Sequence, residues 1–577
     1  MGKLGYVILA VLGVAIAGAA VFLVLGPSGH EAPKAAPKAA AKGEPKGEPK
    51  DEPPKVEVLF VSSESKKEWV NDVVRAFNEK KVQVGGKEVV VTAKHVRMAE
   101  SRQAILDGKE KPTLWGPAGR SWLDVINADW ERRENRPFLS DVRETVTTAL
   151  VIATWEPMAR ALGWPKKPIG WADLQRVAVN PKGWAAFGHP EWGPFRFAHS
   201  HPDHSNSAML SLVSLVYASA GKTSGLSWDD LKKPTVVSAL SALERAIVHY
   251  GETSTWLTEK LCTRGPSYLS AVTLYESSVV RANEKFKFKV HKVVALYPKE
   301  GTFWETHPVG IANASWVTPE QREGARLFLD FVLSHEQQAK APRFGFRPSA
   351  ASGAPLTAPF DAEHGVDPHA ARRELAPVSD DLFLGVNKLW HTVKKKAAVW
   401  VVLDSSGWMD KASMDAAKRG SIAFLKRMEP DDVARVITFN AYVTPQGEPG
   451  KVREVQEDLI SKVNELAPDG TTRLYDAVFT ALQEIEQMRK KKDEDRLYGI
   501  VVLTNGKDSA SRVRREQLLA ELPKAEEAQG TRVFTIGYGK KPDEDLLREM
   551  AERSNAVMVK GDVADVEKIY RQLSAYF

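Results

Sequence analysis

From Val56 onward the chain repeats one pattern: a short apolar run, a turn of small polar residues, then a helical stretch with apolar residues on one face. Ala397-Ala-Val-Trp-Val-Val-Leu-Asp404 is the clearest run, apolar throughout until it ends in an acid. A strand with no polar alternation must be covered on both sides, which parallel strands between layers of helices achieve. Strands alternating with helices over this length specify α/β architecture, and 577 residues are too many for one domain. A balance of 80 basic against 74 acidic residues, net +6, does not mark a dedicated nucleic-acid binder. The lone Cys262 excludes an intrachain disulfide and multi-cysteine metal centres.

Leu4–Gly26 is almost unbroken apolar sequence. About 20 such residues at 1.5 Å each cover a hydrocarbon core of about 30 Å, so an N-terminal transmembrane helix is expected. The run continues past Ala15-Ile16-Ala17, which reads as an uncleaved signal anchor, with a cleaved signal peptide as the alternative. With residues 1–3 as a cytoplasmic stub and 4–26 as the anchor, the bulk of the chain is expected outside a cytoplasmic membrane, crossed once. Residues 27–55, rich in Pro, Ala and Lys, read as an extended stalk, since Pro33, Pro37, Pro45, Pro49 and Pro53 forbid a continuous helix.

Polar strand ends recur along residues 56–349. Ser63 and Ser65 close the first strand, and Trp115-Gly-Pro-Ala-Gly turns the chain from strand to helix. Thr154 ends another apolar run, His199-Ser-His-Pro-Asp-His-Ser205-Asn-Ser207 leads into a long helix, and Tyr275-Glu276 follows later. In open α/β sheets ligands bind beyond the carboxyl ends of strands, where such turns converge. His199, His201, Asp203 and His204 admit a metal reading, but Pro202 and the Ser-Asn-Ser sequence fit a ligand loop better.

In order and spacing, the pieces LWGPAGRSW, WEPMARALGWP, H-x-x-P-x-x-S-N-S, YPKEGTFWETHPVGIAN and GFRPS resemble the bacterial extracellular solute-binding proteins of the two-lobed, hinge-closing periplasmic type. The resemblance implies an interlobe cleft for a small polar or anionic solute. The implied contacts are Ser63, Ser65, Trp115, Thr154, Ser205, Ser207, Tyr275 and Glu276, with Gly116 where relatives often carry a serine.

After a connector with a helix (350–395), residues 396–577 read as a doubly wound, Rossmann-like sheet. Core strands are expected at Ala434–Phe439, Leu497–Leu503 and Val533–Ile536. Asp404-Ser-Ser406-Gly-Trp408, Asp469-Gly-Thr-Thr472 and Thr504-Asn505-Gly506 resemble the metal-ion-dependent adhesion site of von Willebrand factor type A domains. The resemblance implies Mg²⁺ on Asp404, Ser406, Thr472 and Asn505, at a degenerate site. Trp408 replaces a serine hydroxyl, and Asn505 replaces an aspartate, which removes one negative charge. A protein partner is implied for this domain. No nucleophile elbow, H-E-x-x-H or P-loop motif occurs, so an enzyme is not expected. The function expected is membrane-anchored, extracytoplasmic binding through a solute cleft and a type A domain. The alternatives are an ABC-importer-associated substrate-binding component and an adhesive scaffold without solute.

Overall fold

The computed structural model describes residues 54–577 except 252, 287–290, 492–494, 524–529 and 540–541. Three sheets organise them. In the first lobe six strands lie in the order Gln83–Val84, Lys87–Val96, Lys55–Ser63, Leu114–Gly116, Pro308–Ala312, Leu139–Glu144. Helix Lys67–Glu79 buries Trp69, Val70, Val73 and Phe77. There Phe77 meets Phe328 edge-on, with ring centroids 5.3 Å apart.

The second lobe is built on Val146–Trp155, flanked by Val293–Leu296 and Ala271–Tyr275, with Phe197–Ser200 and Ile247–Gly251 beyond. Its central helix, Asn206–Ala220, is buried from Asn206 to Tyr217, which explains why its sequence is apolar on every side. The chain passes between the lobes at Thr145 and again between Trp304–Glu305 and Pro308–Ala312. Arg347–Pro348 then pairs with Val146–Thr147.

The third sheet has the order Val443–Lys451, Val433–Phe439, Ala397–Asp404, Leu497–Thr504, Arg532–Tyr538, Met558–Gly561. It is parallel except for its first strand. This is the doubly wound arrangement, in which Ala397–Asp404 and Leu497–Thr504 flank the point where strand order reverses.

Helix Asp380–Val393 packs on helices Asn206–Ala220 and Pro234–Arg245 of the second lobe. Its Trp390 is fully buried, with its ring 4.9 Å from His201 and 5.5 Å from Tyr250. The second lobe, this helix and one face of the third sheet share one apolar core. Further ties across it are Lys394 Nζ to the Phe577 carbonyl at 2.8 Å and Trp256 against Tyr576 at 5.2 Å.

The α/β architecture stands, and the transmembrane signal anchor is corrected. Among the described residues no helix is long and apolar enough to cross a membrane. The longest, Leu474–Lys490, has 17 residues. It would reach only about 26 Å at 1.5 Å per residue, and it carries Asp476, Glu484, Glu486 and Arg489 along its length. The expected anchor at Leu4–Gly26 and the stalk up to residue 53 lie outside the described residues. With no spanning helix among the described residues, the membrane as partner, the single-pass location and the membrane-anchored function are withdrawn.

Candidate functional site

Between the lobes, buried basic and polar side chains from both sides come close together. Lys66 follows Ser63 and Ser65 in the short 3-10 turn that ends the first strand. Its side chain is wholly buried, and Nζ donates to the Pro117 carbonyl at 2.9 Å. Burial lowers its pKa to about 7, with no carboxylate beside it to oppose the shift. Gly116 makes this possible. A Cβ there would stand 2.8 Å from Phe60 Cε2 and 3.1 Å from Lys66 Nζ.

His307 sits on the crossing between lobes, fully buried and at a φ of +43°, a conformation a residue with a side chain rarely adopts. Both ring nitrogens are buried without a hydrogen-bond partner. Burial holds its pKa well below the usual histidine range, and the charges of Lys66 and Arg281 lower it further. From the second lobe, Arg281 Nη1 approaches the Ser65 carbonyl at 3.4 Å, and Tyr275 lies with its ring 6.2 Å from that of His307. A strained backbone and orphaned buried polar atoms are features that cluster where ligands bind.

Of the expected contacts, Ser63 and Ser65 meet, with hydroxyls 3.0 Å apart. Ser205 and Ser207 are likewise 3.0 Å apart at the start of helix Asn206–Ala220, and Ser207 reaches Ser254 at 2.9 Å. Tyr275 accepts from Asn206 Nδ2 at 3.2 Å, while Asn206 Oδ1 accepts from Ser121 of the first lobe at 3.0 Å. The chain of Ser121, Asn206 and Tyr275 thus spans the cleft. Nearby Glu305 lies against Gly119, where a Cβ would be 1.7 Å from Oε2. Burial pushes the Glu305 carboxyl up to about 7.

The other three expected residues are engaged elsewhere. Trp115 is wholly buried in the first lobe, and its indole donates to Ser101 at 3.0 Å. Thr154 lies at the end of its strand away from the crossing and donates to the Ser270 carbonyl at 2.7 Å. Glu276 is fully buried in a two-pronged ion pair with Arg347 (Nη2–Oε1 2.7 Å, Nε–Oε2 2.9 Å) and also accepts from Tyr297.

The histidine loop ties bodies together. His199 bonds Glu244 at 2.9 Å, and Asp203 accepts from His391 of the connector helix at 3.3 Å. Among the described residues no group of three or more His, Cys, Asp or Glu side chains could hold a metal ion.

In the type A sheet, Asp404 ends its strand fully buried, with Oδ1 accepting from the Ser406 N–H at 2.9 Å and Oδ2 from the Thr504 hydroxyl. Burial raises its pKa, against the lowering pull of Thr504 and Ser406. Ser406 Oγ, Thr472 Oγ1 and Asn505 Oδ1 are buried without hydrogen bonds. These oxygens are the remnant of a cation cradle, but they do not fit Mg²⁺. The cradle holds a single carboxylate, both of whose oxygens are already engaged, and no second charge. Trp408 stands in the turn ahead of helix Lys411–Leu425, which Asp410 caps. The residue is 65% exposed and its carbonyl accepts from Asn505 Nδ2 at 2.9 Å.

Two α/β lobes joined by crossing strands over a buried polar cleft form the architecture of a two-lobed binding protein. The family model for bacterial extracellular solute-binding proteins matches residues 58–347, half of the chain, and the chain belongs to that family. Residues 399–572 match the von Willebrand factor type A domain, so the protein is a fusion of the two modules. Both families are binding modules rather than catalysts.

An uncharacterized protein of Mycobacterium tuberculosis is 21% identical over 247 residues, covering 41% of this chain and 34% of that one. The chain thus spans about a third of the length of the curated relatives it matches. Among solved structures, the substrate-binding protein of an ABC transporter from Agrobacterium tumefaciens is 13% identical (TM-score 0.40, 59% of this chain and 94% of that one). The sulfate-binding protein SubI from Mycobacterium tuberculosis is 16% identical (TM-score 0.36, 52% and 89%). A von Willebrand factor type A protein from Catenulispora acidiphila is 16% identical (TM-score 0.28, 32% and 42%).

Sequence reasoning missed Lys66, His307, Arg281 and Asn206. Asn206 stood inside the H-x-x-P-x-x-S-N-S loop and was within reach of the motif. Lys66 looks like any solvated lysine opening a helix, and only its burial distinguishes it.

Proposed function

We propose that the chain is the substrate-binding component of an importer-type system and that its lobes close on a small oxyanion. The observation that carries this reading is the buried basic pair. Lys66 has no carboxylate beside it, and His307 leaves two ring nitrogens unpartnered. Burying a charge without a counter-charge is costly, and an anionic ligand offsets that cost. Ser63, Ser65 and Asn206 supply neutral donors around it, and the Arg281 guanidinium reinforces the positive field.

Thermal shift and calorimetry against phosphate, sulfate, neutral sugars and zwitterionic amino acids test this. Stabilisation by an oxyanion alone, lost in Lys66→Met, supports it; no stabilisation by any oxyanion rejects it. A second reading, an adhesive scaffold with no solute, is favoured by the direct Ser121–Asn206 bond across the cleft. It is the reading left if no solute binds.

For the type A domain we propose a protein partner met without a cation. The rim at the carboxyl ends of its strands carries the exposed rings of Trp408 and Tyr442, the latter 74% exposed. The turns holding them are neighbours through Gly470, whose carbonyl accepts from the Gly407 N–H at 3.0 Å and whose Cβ position lies 2.9 Å from Ala441 Cβ. Exposed aromatic rings are common anchors of protein interfaces.

A further inference from the structure

Outside the cleft, a groove of about 590 Å³ lies where three bodies meet. One wall is the helix Met98–Leu106 of the first lobe with its flanks, the other is the last helix of the type A domain, Val566–Leu573, and His204 of the second lobe forms part of the lining. Its cations are Arg97 and Lys109 on the first-lobe wall and Arg427, Lys568 and Arg571 on the type A wall.

Only two carboxylates line it, and each is already paired on its own wall. Glu100 bonds Arg97 at 2.5 Å and Asp107 bonds Lys109 at 3.0 Å. The first-lobe wall is therefore close to neutral. On the opposite wall Arg571 has only the exposed Glu567 one turn away, at 3.3 Å. Among the described residues Arg427 and Lys568 are in no ion pair. His204 feels this field, since burial, Arg427 and Arg97 all lower its pKa, against Asp203 and Glu100.

We propose that this groove binds a small polyanion carrying two or more phosphate or sulfate groups. Arg427 and Lys568, which are in no ion pair among the described residues, and Arg571, which has only the exposed Glu567, need more than one negative charge to balance them. The volume suits a compact molecule, and the two facing walls do not suit a flat surface. Among the described residues no Phe, Tyr or Trp lines the groove and His204 is its one ring, so the phosphate or sulfate groups themselves are the main feature read. Gln103 and Gln572 supply neutral hydrogen bonds beside the cations. Because the walls belong to the first lobe and the type A domain, the bound polyanion ties the two together and favours the closed lobes. The inference is independent of the cleft ligand.

Calorimetric titration of the full chain with inorganic tripolyphosphate, at low ionic strength and again at 0.5 M salt, tests it. Saturable binding that weakens at least tenfold at the higher salt is expected, because exposed charges are screened. The triple variant Arg427→Ala, Lys568→Ala, Arg571→Ala should bind at least tenfold more weakly with an unchanged melting temperature, and Lys568→Glu alone should weaken binding measurably if the triple variant is unstable. Lys66→Met should bind tripolyphosphate like the parent. No saturable binding by the parent, undiminished binding by the charge variants, or loss of binding in Lys66→Met each overturns the proposal. The last outcome would assign the polyanion to the cleft.

Discussion

Lys66 concentrates the chemistry of the cleft in one amine. Its pKa of about 7 means that it is half protonated near neutrality, and an anion can bind strongly only to the protonated form. Oxyanion affinity is therefore expected to fall as pH rises from 6 to 8, approaching tenfold per pH unit above the midpoint, with proton uptake on binding that calorimetry in two buffers measures. A flat profile would remove Lys66 from the site. At the type A rim, Trp408→Ser with Asn505→Asp restores a hydroxyl and a second negative charge beside the orphaned Ser406 and Thr472 hydroxyls. The double variant is expected to gain Mg²⁺-dependent stabilisation of about 2.7 kcal/mol at a hundred times its dissociation constant, while the parent gains little. Tight Mg²⁺ binding by the parent, seen as a melting shift at micromolar metal, would show that one carboxylate suffices.

Two local assemblies join the elements. Glu276 opens its helix fully buried, and Arg347 of the strand on the crossing meets it with two hydrogen bonds. Removing one partner leaves a buried charge, so Arg347→Met is expected to cost about 3–5 kcal/mol in urea unfolding. Replacing the pair together should cost less. The connector helix is held by His391, which bonds Glu429 of the type A domain at 2.6 Å and Asp203 of the second lobe at 3.3 Å. Burial alone would lower its pKa, but the two carboxylates outweigh it and push it up to about 9. Lys394, Lys396, Arg427 and the neighbouring His201 and His204 face the same junction. A histidine with a raised pKa stabilises fully below its unfolded value of about 6.5, and its contribution is lost as pH rises through about 9. The melting temperature is therefore expected to drop between pH 7 and 9.5 by more in the parent than in His391→Phe. Equal drops would show that the bridge contributes nothing.

Across the whole molecule, the shared core of the second lobe, connector helix and type A domain makes them one mechanical body. The buried Trp390 and the packing of Trp256 on Tyr576 are apolar contacts of a kind that resists independent motion. Scanning calorimetry of the full chain is expected to show the second lobe and type A domain melting in one transition. Two transitions well apart in temperature would mean that the interface does not couple them. On the proposed closure the first lobe would move against this combined body, beside the type A domain with which it shares a groove.

Periodicity and turn chemistry were enough to specify the layers. Ala397–Asp404, Leu497–Thr504 and Arg532–Tyr538 are strands where the apolar-rich runs at 397–404, 497–503 and 533–536 lay. The same signals placed Ser63 and Ser65 near a strand end and Ser205 and Ser207 at a helix start, since a hydroxyl at such a position is visible in one dimension. Burial is not visible there, because it depends on which element packs over a residue from far along the chain. Lys66 reads as a surface lysine until Gly116 and Pro117, some 50 residues on, close over it. Glu276 reads as a ligand acid until Arg347, 71 residues later, neutralises it. The local run of residues determined strands, helices and the families they belong to. Only the tertiary structure decided which charges face the cleft, because desolvation and pairing are properties of distant residues brought together.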